Sequence, residues 1–344
     1  MIQKIEIKNF KSIQNISFEA KKINVLIGEP NSGKSNILEA LGLFASSHVR
    51  NLKDYVRFKK AEQLFYDNEV EQDIEIRATA AQKEYKCAIR FENGIFKGQG
   101  WNQDELVFEF KLNYAGEYDR QMQNIEQHLP FRYYRFKTME NYSNEYSEYL
   151  LPPFGKNLFT LLFTNKKLRQ EVSKLILEKG YHLSLNSQER EFHIIKNIDN
   201  ILYTYSYDSL SDTLQRMIFY QTAIGSNHQA AILLEEPEAY MFPFYTKNLA
   251  ERIAKDADNQ YFIITHNPYF LNALVKYAAP QDLQLLLTSM EAYQTQVRPI
   301  AVEEVGISLD FDKDIFLNLE AFKKAPTPTT RKTKSATATK SSKK

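Results

Sequence analysis

Cysteine is almost missing: the only one in 344 residues is Cys87. A lone thiol excludes an internal disulfide framework and makes a poor zinc ligand, so a small buried residue is the better reading. Long apolar runs are missing too. None approaches the roughly 18–20 residues that span a bilayer, and the opening MIQKIEIKNF lacks the charged-then-apolar layout of a signal peptide. A cytoplasmic chain with no membrane partner is therefore expected. Net charge is close to absent, at +1, but it is unevenly spread. Residues 323–344 hold eight Lys or Arg and no acid, which leaves −7 for residues 1–322. Pro, Thr, Ser and Ala fill the rest of that tail, a composition that cannot build a core and predicts disorder. It reads either as a segment that binds nucleic acid or an acidic partner, or as a solubilising one. The remaining composition, 43% hydrophobic and 25% charged, is that of a globular chain.

The most informative stretch is VLIGEPNSGKSNILEALGLF, residues 25–44. Gly28, four residues, then Gly33, Lys34 and Ser35 fit the phosphate-binding pattern G-x-x-x-x-G-K-[ST]. Glycines let backbone N–H groups turn inward around a polyphosphate, and the following helix adds its unpaired N-terminal donors. Lys34 would reach the β- and γ-phosphates, and the Ser35 hydroxyl suits Mg²⁺, a hard ion that prefers oxygen. A β-branched run, INVLIG, precedes the loop, and Ile37, Leu38, Leu41 and Phe44 recur at helical spacing after it.

Residues 1–48 alternate as short strands expected to feed a nucleotide-binding sheet. From about 65 to 120, alternating segments with a turn at Asn93-Gly94 predict an antiparallel β lobe. A helical lobe is expected at about 130–200, with helix ended by Gly180 and a strand pair near its close, before helix and parallel-strand patterns resume at 201–300. Neither an internal repeat nor a long heptad run is present. Two later strands carry polar ends. AAILLEEPEAYMFP is a buried-strand pattern ending in Glu235 and Glu236; the first acid suits the Mg²⁺ side, and the second could polarise an attacking water. YFIITHNP ends in His266, which reads as a γ-phosphate contact or as an ordinary capping histidine. Just upstream of the acids, Ser209, Ser211 and Asp212 open an apolar-periodic helix. The aromatic-basic stretch 131–154, with Arg132 and Arg135, reads as a base-stacking surface, as core or as a partner face.

Taken in order, IKNFKSI, GEPNSGKSN, SLSDTLQR, LLEEPEAYMFP and FIITHNP resemble the ABC-type ATPase heads of the SMC, RecF and OLD-like group, and within it the small stand-alone bacterial AAA-type ATP-binding proteins. The resemblance implies an α/β P-loop NTPase of ABC-ATPase type, with a mixed central sheet, an antiparallel β lobe and a helical lobe, forming a single head over residues 1–322. ATP and Mg²⁺ are the implied cofactors. Gly28, Asn31, Ser32, Gly33, Lys34, Ser35 and Asn36 would hold the nucleotide and Ser35 and Glu235 the metal, while Lys34, Glu236 and His266 would be catalytic. The resemblance further implies an ATP-sandwich homodimer or larger homo-oligomer in which Ser211 of one subunit meets the γ-phosphate of another. Two positions depart from the family pattern: Glu235 stands where Asp is usual, and Asp212-Thr213 replaces the glycine after the signature serine. No glutamine is assigned to the glutamine loop, though Gln121, Gln123 and Gln127 stand in its region. An OLD-like protein carries a TOPRIM nuclease after the ATPase, but 78 residues follow His266 and the acids of LDFDKD, residues 309–314, read as a loop. Effector chemistry is thus expected on another protein, in anti-phage defence or DNA maintenance. The rival readings are an ATP-loaded scaffold for a toxin or nuclease, and a RecF-like DNA-binding repair protein using the tail or residues 50–60.

Overall fold

The computed structural model describes residues 1–48, 51–123, 129–139, 141–143, 145–302 and 315–319. The basic tail, residues 309–314, Arg50 and Gln127 lie outside them.

In chain order, β1 (Ile2–Phe10) and β2 (Ile13–Glu19) form a hairpin, and β3 (Ile23–Gly28) runs into the glycine loop and α1 (Lys34–Gly42). Five strands follow: β4 (Ile74–Ala80), β5 (Glu84–Glu92), β6 (Ile95–Asn102), β7 (Glu105–Leu112) and β8 (Tyr118–Gln123). Then come β9 (Phe131–Tyr134), α2 (Leu158–Thr164), α3 (Lys166–Leu177), β10 (His182–Asn186), β11 (Glu191–Ile198) and β12 (Ile201–Ser206). The last stretch is α4 (Asp212–Ser226), β13 (Ala231–Glu235), α5 (Pro243–Lys255), β14 (Gln260–Ile264), α6 (Pro268–Tyr277), β15 (Leu283–Glu291) and β16 (Gln294–Ile300).

A six-stranded sheet in the order β16-β15-β3-β14-β13-β9 forms the centre. It is parallel except for the β15–β16 hairpin. β3 and β14 are buried along their whole length, as strands covered on both faces must be. Alternate side chains of β3 go to different cores: Val25 and Ile27 pack with the layer of α2–α6, while Leu26 packs with α1 and the antiparallel sheet. That second sheet runs β2-β1-β4-β5-β6-β7-β8 and is antiparallel throughout. Asn93 and Gly94 both have positive φ, the requirement of a tight two-residue hairpin turn between β5 and β6. Cys87 is buried in this sheet, and burial pushes its thiol up to about 12.

Two expectations are corrected. β1 and β2 do not feed the nucleotide-binding sheet, because β1 pairs with β4 in the antiparallel one. Their period-2 burial already marks a sheet with one covered face, unlike β3. Residues 131–134 do not belong with the helical segment: β9 is the edge strand beside β13, and all four of its residues are buried. Phe131, Tyr133 and Tyr134 are therefore core, and Arg132 donates inward to Leu129 O and Phe131 O, which removes them from any base-stacking surface. The helical segment also carries the three-stranded antiparallel sheet β10-β11-β12.

The parallel strands place the carboxyl ends of β3, β13 and β14 along one edge. In open α/β sheets, ligands bind at that edge.

A candidate nucleotide site

The loop between β3 and α1 turns on Gly33, whose φ of 91° is open to glycine at little cost. A side chain there would run into Thr295 on β16. Gly33, the N-cap of α1, has no side chain to cap it, which suits the N–H groups of the first turn to an anion. Lys34 is almost wholly buried under the loop and donates from Nζ to Gly28 O at 2.8 Å and Glu29 O at 2.7 Å. Burial lowers its pKa to about 8, against the opposing pull of Glu236 and Glu29. The β15–β16 hairpin braces the loop from behind. Ser32 Oγ lies 2.7 Å from Thr288 Oγ1, and Ser12 Oγ lies 2.7 Å from both Thr295 Oγ1 and Asn36 Nδ2.

The acid strand meets this loop directly. Ser35 Oγ donates to Glu235 Oε1 at 2.6 Å across 200 residues of chain. Glu235 Oε2 accepts from the hydroxyl of buried Tyr133 at 3.0 Å, and Arg57 Nη2 stands 3.5 Å from Oε1. A serine hydroxyl touching a carboxylate beside unpaired backbone donors is an oxygen donor set that fits Mg²⁺ with a polyphosphate. Glu236 follows with φ of 45°, a conformation that non-glycine residues adopt at a cost and that recurs at functional sites. Its N–H is tied to Ile264 O at 2.9 Å, and its Oε1 lies 3.6 Å from His266 Nε2. Burial and Lys34 lower the His266 pKa despite Glu236, which favours the neutral ring. His266 sits in the turn before α6. Buried Glu238 accepts from Thr265 Oγ1, which itself accepts from the Asn267 N–H at 3.0 Å, while Asn267 Oδ1 caps α6. Burial raises Glu238 to about 7.

These residues border one cleft of ≈ 530 Å³, lined by Ser12, residues 30–36, Arg57, Glu236, Ile264, His266 and Met290. Asn31, Ser32, Gly33, Lys34, Ser35, Asn36, Glu236 and His266 are thus brought together, with Gly28 beneath Lys34 and Glu235 alongside Ser35. Ser211 is not among the lining residues. It is exposed at the start of α4, where its Oγ accepts from Leu214 N. Asp212 beside it is ion-paired with Arg216.

Tyr133 and buried Glu39 were missed as site residues by sequence reasoning, and Arg57 was covered only by the DNA-contact reading of residues 50–60. Arg57 lies in a loop region of 3-10 turns without a motif, and Tyr133 was read only as part of an aromatic stretch. Glu39 left one signal: it is a carboxylate amid the apolar positions of α1 and is fully buried there.

The model of the family described as "AAA domain, putative AbiEii toxin, Type IV TA system" matches residues 23–272. An ATP/GTP phosphatase of Helicobacter pylori is 23% identical over 332 residues, spanning 82% of this chain and 90% of that one. The Septu protein PtuA of Bacillus mycoides is 23% identical over 321 residues, 87% of this chain but only 42% of PtuA. Among solved structures, an SMC head bound to the C-terminal winged-helix domain of ScpA aligns over 88% of this chain and 98% of its own, with a TM-score of 0.51 at 14% identity. That likeness shows the fold alone. No described helix is long and apolar enough to cross a membrane.

Proposed function

Because the chain belongs to this AAA-domain family of P-loop ATPases, we propose that it binds ATP with Mg²⁺ in the cleft, hydrolyses it, and uses the nucleotide to control assembly with a second copy of itself. The observation that carries the reading is the 2.6 Å contact between Ser35 and Glu235, which joins the phosphate loop to the acid strand beside Lys34 and Glu236. In this reading Ser35 and Glu235 hold Mg²⁺, which supplies charge neutralisation on the phosphate oxygens. Lys34 faces the β- and γ-phosphates, and Arg57 stabilises charge that develops on them. Glu236 orients and deprotonates the attacking water, while neutral His266 hydrogen-bonds the γ-phosphate side.

Ser211 meets the γ-phosphate only from a second copy, since it is exposed and lies outside the cleft lining of its own chain. The setting suggested by the family resemblance is anti-phage defence or DNA maintenance, with the effector on a separate protein. One observation favours the scaffold alternative with slow turnover: Asp212 puts an acid next to Ser211 where a phosphate would arrive. Arg216 offsets it.

Glu236→Gln tests the reading because it keeps shape and hydrogen bonding but removes the base. ATP binding should persist by calorimetry, turnover should fall by about 10²-fold or more, and light scattering should show an ATP-dependent assembly. Hydrolysis at the wild-type rate refutes the catalytic role. Binding without assembly refutes the shared-nucleotide mechanism.

A further inference from the structure

Three segments within the first 57 residues converge at the cleft wall. Lys11, in the β1–β2 turn, pairs with Glu39 Oε2 and also donates to the backbone Arg57 O at 2.6 Å. Glu39, on α1, is completely buried, and its second oxygen accepts from Arg57 Nε at 2.6 Å. Arg57 is half exposed, lines the cleft, and reaches Glu235 with Nη2. A buried carboxylate with a cation on each oxygen is costly to desolvate, and replacing such groups by apolar residues is often neutral or stabilising. Fold stability alone therefore gives a weak reason for placing one on the phosphate-loop helix.

We propose that Glu39 is a positioning residue: braced by Lys11, it fixes the guanidinium of Arg57 edge-on at the cleft, so that the phosphate-facing cation is held by the same helix that holds the phosphates. The geometry of the guanidinium fork supports this. Nε is used on Glu39, while Nη2 stands 3.5 Å from Glu235 Oε1 at the cleft. Lys11 clamps the backbone of Arg57 as well as its carboxylate partner, so the side chain is fixed at both ends. Were Glu235 committed to a metal, the seat on Glu39 would keep Arg57 from swinging out into solvent. The inference rests on the proposed nucleotide site.

A double-mutant cycle with Glu39→Gln and Arg57→Ala is the test, read as turnover at saturating ATP and, separately, ATP affinity. Glu39→Gln should lower turnover by about tenfold or more while leaving affinity within about threefold, since misplaced groups cost rate before binding. Arg57→Ala should lower turnover at least as much, and Glu39→Gln should add less than about twofold in the Arg57→Ala background. A residue with a merely structural role would cost the same factor in both backgrounds, and that result overturns the proposal. Should Glu39→Gln fold poorly with Lys11 unpaired, Lys11→Met/Glu39→Gln removes the buried charges together and should show the same loss in turnover; wild-type turnover in that folded variant also overturns it. Wild-type protein that fails to bind ATP sinks the nucleotide site itself, whereas hydrolysing wild type with multiplying losses sinks only the seat.

Discussion

Lys34 is where the physics of the site is most exposed to measurement. Its ammonium is charged at low pH, but burial holds its pKa near 8, so the free protein gives up this cation just above neutrality. Polyphosphate favours the charged form, so the pKa in the complex must lie above that of the free protein. Below about pH 7 both states are charged and no proton moves. Above pH 8 binding must take one up, and affinity should fall by at most about tenfold per pH unit. The γ-phosphate is already ionised there and adds no slope of its own. Calorimetry in two buffers of different ionisation enthalpy reads the proton directly. An ATP affinity that is flat from pH 7 to 9.5 contradicts the buried-lysine account. The motif spacing alone proposes Lys34 for the phosphates, but its perturbed pKa is a property of the folded surroundings.

At the scale of elements, the antiparallel sheet is built separately from the site it supports. In the β6–β7 pair Gly98 stands opposite Phe110 and Gly100 opposite Phe108. The rings lie over the glycines closely enough that any side chain would collide with them. Gly98→Val should therefore destabilise by about 1–3 kcal/mol through overpacking, although valine itself favours strands. Neither strand contributes a residue to the cleft, so ATP affinity should stay within about twofold. Denaturant unfolding together with calorimetry checks both halves, and a large loss of affinity would show the two sheets to be coupled. Strand existence here was legible from alternation, and the Asn93-Gly94 turn from its dipeptide. Sheet membership was not. The alternation of β1 announces one covered face, yet nothing local says that the cover is α1 and that the neighbour is β4 rather than β3.

For the whole molecule, the question is whether one chain makes a complete site. Ser211 is exposed, and Thr213 Oγ1 ties the start of α4 to Tyr240 O, at 3.1 Å, in the loop that follows the acids. That loop displays Tyr240 at 84% exposure and Phe242 at 67%, large apolar surfaces beside the serine. Exposed aromatics in such a cluster mark a contact face more often than a solvated one. Ser211→Arg in the Glu236→Gln background should disperse the ATP-dependent assembly while the monomer keeps its ATP affinity, because the added cation enters only the contact from the second copy. Light scattering with and without ATP and Mg²⁺ decides it. An assembly that survives Ser211→Arg removes this serine from the interface.

The phosphate loop was determined by the sequence alone, because its chemistry is local: glycines, a lysine, a hydroxyl and a helix start fall within eight consecutive residues, and backbone sterics with helix periodicity do the rest. The acids after β13 and the histidine after β14 were readable for a related reason, since a fully apolar strand ending in a polar residue marks a sheet edge. Only the tertiary structure decided which partners those groups have. Ser35 reaches Glu235 because β3 and β13 flank β14 in parallel register, which sets their carboxyl ends on one edge. Lys11, Glu39 and Arg57 meet because the β1–β2 turn, α1 and the loop after it close around one buried carboxylate. Periodicity reports how many faces of an element are covered; it carries no information about what covers them, and that choice is made when distant segments compete for the same core.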